Sequence, residues 1–432
     1  MKTKYSILVI IFFCSISSLW AADKFWQLAW IKYQLERGTN QGDLRNYDWD
    51  ATVRLELEKS SNEYINSLAT NNSILYAPEL EDYLQQKLLQ IYPEPYWKCR
   101  YAVLNKISVV KSSVPDIQVL NNGQILISTG MLYLIDNDDE LVALLSQVTA
   151  QFVLDLNYYS YKSHKSSGLF SAILGASAYI VSNVALNRKY EDYERNQYFS
   201  EAAGDATLLV SGGIFNAIDK ANDKVLQMKA DSIARSYLVA KNLKVDALSN
   251  IMTKIYKYAD NHPEYSDVSL LAHYDRYPKR LKNLGYNLKE IEIVHNKNID
   301  YDRNISEALN MNASLLTAGC DYIEANHDLN RITESGYAIE ETFLLKVAIV
   351  KYTQNSEEAN KTILDLLEQA EKVPTSNSES IDIERGLVYY RMNKKFMALD
   401  AFLNARKKIE SVANYDGEEM SWLNKMIAKC RL

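Results

Sequence analysis

DIQVLNNGQILISTGMLYLIDNDDELVALLSQVTAQFVLDL, Asp116 to Leu156, is the stretch on which the fold turns. Two short runs, Asp116 to Leu120 and Gln124 to Ser128, flank Asn121-Asn122-Gly123. Asn-Gly between apolar runs signals a hairpin, because a two-residue type I′ turn needs positive φ at both central positions. Thr129-Gly130 ends the second strand, and Met131 to Ile135 leads into a helix. Asn137 is a capping residue, and Asp138, Asp139 and Glu140 put negative charge where a helix N-terminus favours it. Leu141, Leu144, Leu145, Val148, Phe152 and Val153 then recur at a 3.6-residue period. Gln147 and Gln151 interrupt that apolar side. Four residues apart, they point the same way, with Val148 beside the first. Two amides on such a face need partners.

Upstream, the chain opens MKTKYSILVIIFFCSISSLWAADK. Lys2 and Lys4, the short apolar run Ile7 to Phe13 and the small pair Ala21-Ala22 read as a secretory signal peptide over residues 1–22. Residues 23–78 read as an N-terminal helical segment, with helices near Phe25 to Leu35 and Trp49 to Leu68 and a loop at Asn71-Asn72-Ser73. Glu79 to Ile91 is a helix closed by Pro93 and Pro95. Lys106 to Lys111 is a strand.

Downstream, Gly168 to Asn187 is uncharged for its whole length. Its serines, Asn183 and glycines make it a weak membrane span and favour a buried helix or helical pair. Phe199 to Ala217, Asp219 to Ala240, Val245 to Tyr258 and His273 to Leu284 read as helices, and residues 286–303 as a linker. From residue 304 the pattern is helix after helix. In Glu384 to Lys408, the residues Gly386, Tyr389, Ala398, Phe402 and Ala405 fall at tetratricopeptide-repeat offsets, with a preceding pair at Glu340 to Tyr352 and Ser356 to Ala370. Such repeats stack into concave peptide-binding surfaces.

Composition bounds the rest. The 432 residues exceed what one core holds, since single cores stop growing near about 250–300 residues. The net charge is -7, and loss of Lys2 and Lys4 would make it more negative. That argues against nucleic acid, or an anionic membrane surface, as the main partner. The cysteines are Cys14, Cys99, Cys320 and Cys430, too few for a disulfide scaffold, and Cys320–Cys430 is the bridge expected if one forms.

The order of strand, Asn-Gly turn, strand, Thr-Gly and acidic helix resembles the core of the gluzincin metallopeptidases related to HtpX and BepA, peptidase family M forty-eight. The likeness spans residues 79–284. Gln227 to Leu248 (QMKADSIARSYLVAKNLKVDAL) takes the place of the family's second zinc-site helix, and His273 with Arg280-Leu281 resembles its later His and Arg helix start. The resemblance implies an α+β, mostly helical fold: a gluzincin-like domain with a small sheet at 79–300, then a tetratricopeptide-like helical domain at 301–432.

Zinc hydrolysis needs two imidazoles at i and i+4, a carboxylate base beside the first, and a third ligand from another helix. By the resemblance these positions hold Gln147, Val148, Gln151 and Gln227, and only Asp231, the supporting carboxylate, is retained. Amide oxygens are poor zinc ligands, and valine takes no proton. The five histidines, His164, His262, His273, His295 and His327, include no i, i+4 pair. The expectation is therefore an exported, periplasmic pseudo-peptidase with no metal, no catalytic residue and no cofactor. Gln147, Gln151 and Gln227 would hydrogen-bond one another where zinc would sit, and His273 and Arg280 would be structural. Peptide or unfolded exported protein would add as a strand along Gln124, Ile125, Leu126, Ile127 and Ser128, and the repeats would take an envelope protein. The alternatives are an active metalloendopeptidase with unorthodox or partner-completed ligands, and a structural envelope scaffold.

Overall fold

The computed structural model describes residues 44–91, 106–154, 156, 224–263, 276–286, 298–374, 378–411 and 417–431. The signal-peptide segment, Phe25 to Leu35, Cys99, Gly168 to Asn187, Phe199 to Ala217 and His273 lie outside these residues. The chain divides into two compact units, up to Ala308 and from Leu309. It is mostly helical, with one small mixed sheet. Among the described residues no helix is long and apolar enough to cross a membrane.

In the first unit, helix α1 (Leu44–Thr70) ends at the expected asparagines. Ser73 N–H donates to the Leu68 carbonyl at 2.8 Å, and Asn72 takes φ 52°, a left-handed conformation that asparagine tolerates well. Strand β1 (Ile74–Leu75) follows, then α2 (Pro78–Ile91). Pro78 opens α2 where a missing N–H costs nothing.

Strands β2 (Ile107–Val110), β3 (Ile117–Val119) and β4 (Ile125–Ser128) complete a sheet of order β1-β2-β4-β3. The hairpin pairs Ile117 with Ile127 and Val119 with Ile125. Its turn differs from the two-residue form expected. Leu120 N–H donates to the Gln124 carbonyl at 2.8 Å, and Gly123 N–H donates to Leu120 at 2.9 Å. Asn121 to Gly123 is thus a three-residue loop in which only Gly123 is left-handed, at φ 85°.

The peptide-binding edge expected at Gln124 to Ser128 is corrected by this topology. β4 pairs in parallel with β2, Ile125 facing Ile107 and Ser128 facing Val110, and antiparallel with β3. Its backbone is engaged on both sides, and Ile125, Leu126, Ile127 and Ser128 are buried. Gln124 is itself occupied, donating from Nε2 to Ser108 Oγ at 3.0 Å. The outer strands are β1 and β3.

Short helix α3 (Thr129–Leu134) joins β4 to α4 (Asp138–Val153). Ser128 Oγ caps α3 by accepting from Met131 N at 3.0 Å, and it donates to the Val114 carbonyl at 2.8 Å. Thr129 Oγ1 donates to the Ser112 carbonyl at 2.8 Å. A Cβ on Gly130 would collide with the Ser113 carbonyl, so only glycine permits this approach. The Ser-Thr-Gly step thereby locks the end of β4 against residues 112–116. Helices α5 (Lys224–Ala240), α6 (Asp246–Asn261) and α7 (Tyr277–Asn283) follow, and α4 packs on α2, α5 and α6. The expected linker contains a helix, α8 (Ile299–Asn304), capped by Asn298. Its Tyr301 hydroxyl donates to the Leu132 carbonyl at 3.0 Å, which places residue 301 with the first unit.

The second unit takes in most of α9 (Ser306–Ala318), then α10 (Tyr322–Ser335), α11 (Glu340–Thr353), α12 (Glu357–Glu371), α13 (Glu379–Arg391), α14 (Lys395–Glu410) and α15 (Gly417–Arg431). Sequential helices pair, α11 with α12 and α13 with α14. Gly386 lies against the Phe402 ring, and a Cβ there would overlap ring carbons. Ala398, Ala405 and Ile409 surround that ring, with Leu423 and Ile427 from α15. The Cys320–Cys430 bridge does not form. Cys430 is packed into this core, where burial raises its thiol pKa, while Cys320 sits in the turn after α9 at φ 66°.

Candidate functional site

Three consecutive carboxylates fix α4, each tied to a different place. Asp138 accepts from Lys87 Nζ of α2 at 2.6 Å and from the Tyr83 hydroxyl. Burial, and then the hydrogen bond to Asp138, hold the Tyr83 phenol well above its ordinary pKa. Asp139 pairs with Lys244 at 2.6 Å. Glu140 turns inward, accepting from Lys254 Nζ of α6 at 2.8 Å, from the Asp136 backbone N–H at 2.9 Å and from the Asn250 amide. Lys254 also meets Asp136 at 2.7 Å, and all three charged groups are buried. Asn137 caps the helix as expected, its Oδ1 accepting from Glu140 N at 3.1 Å. The acidic start therefore sets the axis of α4 as well as complementing its dipole.

About two and a half turns into α4 stand the sequence-predicted positions. Gln147 is 4% exposed and donates from Nε2 to Asp231 Oδ1 at 3.3 Å. Asp231 is fully buried on α5. It receives Arg280 of α7 through Nε at 2.8 Å and Nη2 at 2.7 Å. The Arg280 guanidinium also lies over the Tyr277 ring, 4.7 Å from its centroid. Burial opposes the charge on Arg280, but the Asp231 charge and hydrogen bonds outweigh it and hold the guanidinium pKa above its ordinary value. A bidentate pair of this kind is the strong form of the arginine–carboxylate interaction.

Gln227 lies one turn before Asp231 on the same helix and is 8% exposed. Its Oε1 accepts no hydrogen bond from any described residue. Val148 is buried, and Gln151 is half-buried. The structure thus brings Gln147, Asp231 and Arg280 into one network. It corrects the expected mutual amide bonding: Gln147 donates to Asp231, and among the described residues no donor reaches the Gln227 Oε1.

The donor set does not suit zinc. Gln147 presents an N–H toward Asp231, a buried guanidinium already neutralises that carboxylate, and the position of the base is a hydrocarbon. Among the described residues no group of three or more His, Cys, Asp or Glu gathers as a metal site. No step of hydrolysis can be drawn through these side chains. What they do is hold three helices, α4, α5 and α7, in fixed register.

No protein-family model matches the chain, and no match is found among curated proteins.

Sequence reasoning missed the Lys254, Asp136 and Glu140 cluster. Its signal was present in α6: Lys254 falls three residues after Ile251 and seven after Ala247, a lysine on an otherwise apolar face. A charge so placed needs a buried counter-charge.

Proposed function

We propose that the first unit descends from zinc metallopeptidases of the HtpX/BepA type and has become a non-catalytic scaffold, and that the chain binds peptide or unfolded protein in the periplasm. The observation that carries this reading is the Gln147–Asp231–Arg280 network. A hairpin-led helix meets a second helix through the positions that the resemblance assigns to a zinc ligand and its supporting carboxylate. The scaffold contacts persist while Gln147, Gln151 and Gln227 occupy the ligand positions and Val148 the position of the base. With β4 interior, binding falls to the helical unit, where the close approach of Gly386 to Phe402 between α13 and α14 supports the tetratricopeptide-like reading.

Two measurements test the reading. Elemental analysis of the purified protein should find no stoichiometric zinc, and unfolded casein should bind without chelator-sensitive cleavage. Stoichiometric zinc lost on replacing Gln147, Gln151 and Gln227, or cleavage abolished by chelator, would overturn it. Descent is tested separately by Gln147→His, Gln151→His and Gln227→Glu in one chain. If the helices keep the ancestral geometry, this variant takes up zinc that the natural chain does not; a variant that folds and takes up none counts against the descent.

A further inference from the structure

The turn between α13 and α14 reads RMNKKFM, Arg391 to Met397. Phe396 is 90% exposed and Met397 is 47% exposed. Arg391, Lys394 and Lys395 are exposed beside them. The next residue, Ala398, is fully buried against the Phe402 core, so the exposure belongs to a firmly packed hairpin. Among the described residues neither Lys394 nor Lys395 meets a carboxylate.

The charge here runs against the helix. Lys394 occupies the cap position of α14 without a side-chain cap hydrogen bond, and the first turn holds no acidic residue. Cations at a helix N-terminus oppose its dipole. The three preceding helices do the reverse, opening with Glu340 and Glu341, with Glu357 and Glu358, and with Glu379 and Asp382. In a chain of net charge -7, this turn carries three cations and no acidic residue from Arg391 to Met397. The same seven residues put an aromatic ring and a thioether into water.

We infer that Arg391 to Met397 contacts the surface of an anionic lipid bilayer. Phe396 and Met397 enter the interface, and Arg391, Lys394 and Lys395 remain at the level of the phosphates. A bilayer stacks these two chemistries as layers, anions outermost and hydrocarbon beneath, which matches an exposed turn that carries both. The long lysine and arginine stems allow their charges to stay at headgroup depth while the apolar side chains go deeper. An acidic protein would satisfy the lysines, but it would also need an apolar pocket for the exposed Phe396 ring, which a bilayer's hydrocarbon layer supplies without one.

The test is co-sedimentation of the full chain with vesicles of phosphatidylcholine alone or with about a third phosphatidylglycerol. The natural chain should favour the anionic vesicles, and molar salt should remove the preference. Phe396→Ala should weaken binding on the order of tenfold, the value of one buried apolar side chain. Lys394→Glu with Lys395→Glu should abolish the preference. All three positions are exposed, so circular dichroism should not change and no variant should melt lower; the two glutamates, which complement the α14 dipole, should raise the melting temperature slightly. Failure of the natural chain to bind anionic vesicles overturns the inference. So does binding undiminished in both variants, which would place the contact elsewhere, for example at the apolar run Ile7 to Phe13. Capture of polyglutamate by the natural chain alone, with no vesicle binding, would assign the turn to an acidic protein instead.

Discussion

Gln227 keeps a buried side-chain oxygen that accepts no hydrogen bond from any described residue. An orphan acceptor of this kind costs about 1–3 kcal/mol. Gln227→Met is close to isosteric and removes the orphan, so it should raise stability by roughly 1 kcal/mol in urea denaturation. A metal-holding Gln227 predicts the opposite, loss of stability on the same change. Asp231 is the contrasting case on the same helix. Asp231→Asn leaves the Arg280 guanidinium buried without its counter-charge, and breaking a buried pair in this way costs about 3–5 kcal/mol. If Asp231→Asn lost less than about 1 kcal/mol, as an exposed ion pair would, the network could not be what holds α7 to α5. The i, i+4 relation of Gln147 to Gln151 was legible in the sequence. Which partner each amide finds was not, since that depends on Arg280, forty-nine residues beyond Asp231, having already claimed the carboxylate.

Elements were legible where local chemistry dictates them. Asn137 caps α4 where the sequence places a cap, and β3 and β4 pair as the hairpin pattern requires. The hairpin says nothing of which further strand joins it or on which side. β2 adds alongside β4, and that non-local choice turned an expected edge into an interior strand. A second element-level consequence concerns α9. Its first turn carries Glu307, whose pKa is raised, first by burial and then by the charge of Glu79 on α2. A folded pKa above the unfolded one means that the folded state prefers the protonated carboxyl. Its contribution is therefore favourable at low pH and is lost as pH rises through the folded pKa. Glu307→Gln should accordingly melt higher than the natural chain at neutral pH. The advantage should shrink as pH falls through the raised folded pKa and be lost below the ordinary glutamate value of about 4.3. An advantage that is independent of pH would show that relief of this charge is not its cause.

The two units each have a core of their own, and this bears on how the whole molecule unfolds. The first is pinned by buried charge, Lys254 with Asp136 and Glu140, and Arg280 with Asp231. The second is packed around Phe402 in α13, α14 and α15, and has buried charge of its own in Glu384, which meets Lys351 at 2.9 Å. Units with separate cores can melt as separate transitions. Gly386→Ala tests this from the second unit. Alanine favours a helix over glycine by about 1 kcal/mol, which alone predicts stabilisation. Here, however, the new Cβ would overlap the Phe402 ring, which is fully buried in one core cluster with Ala398, Ala405, Leu423 and Ile427, so making room disturbs that packing. Overpacking of this kind costs about 1–3 kcal/mol, so the net change should be destabilising. Calorimetry should show one transition lowered by Gly386→Ala and a different one lowered by Asp231→Asn. Combining Gly386→Ala with Phe402→Leu should recover part of the loss, because the smaller side chain vacates the space the Cβ needs. If both single variants instead lowered one common transition, the chain would be a single cooperative body, and the helical unit could not be treated as a binding module with a stability of its own.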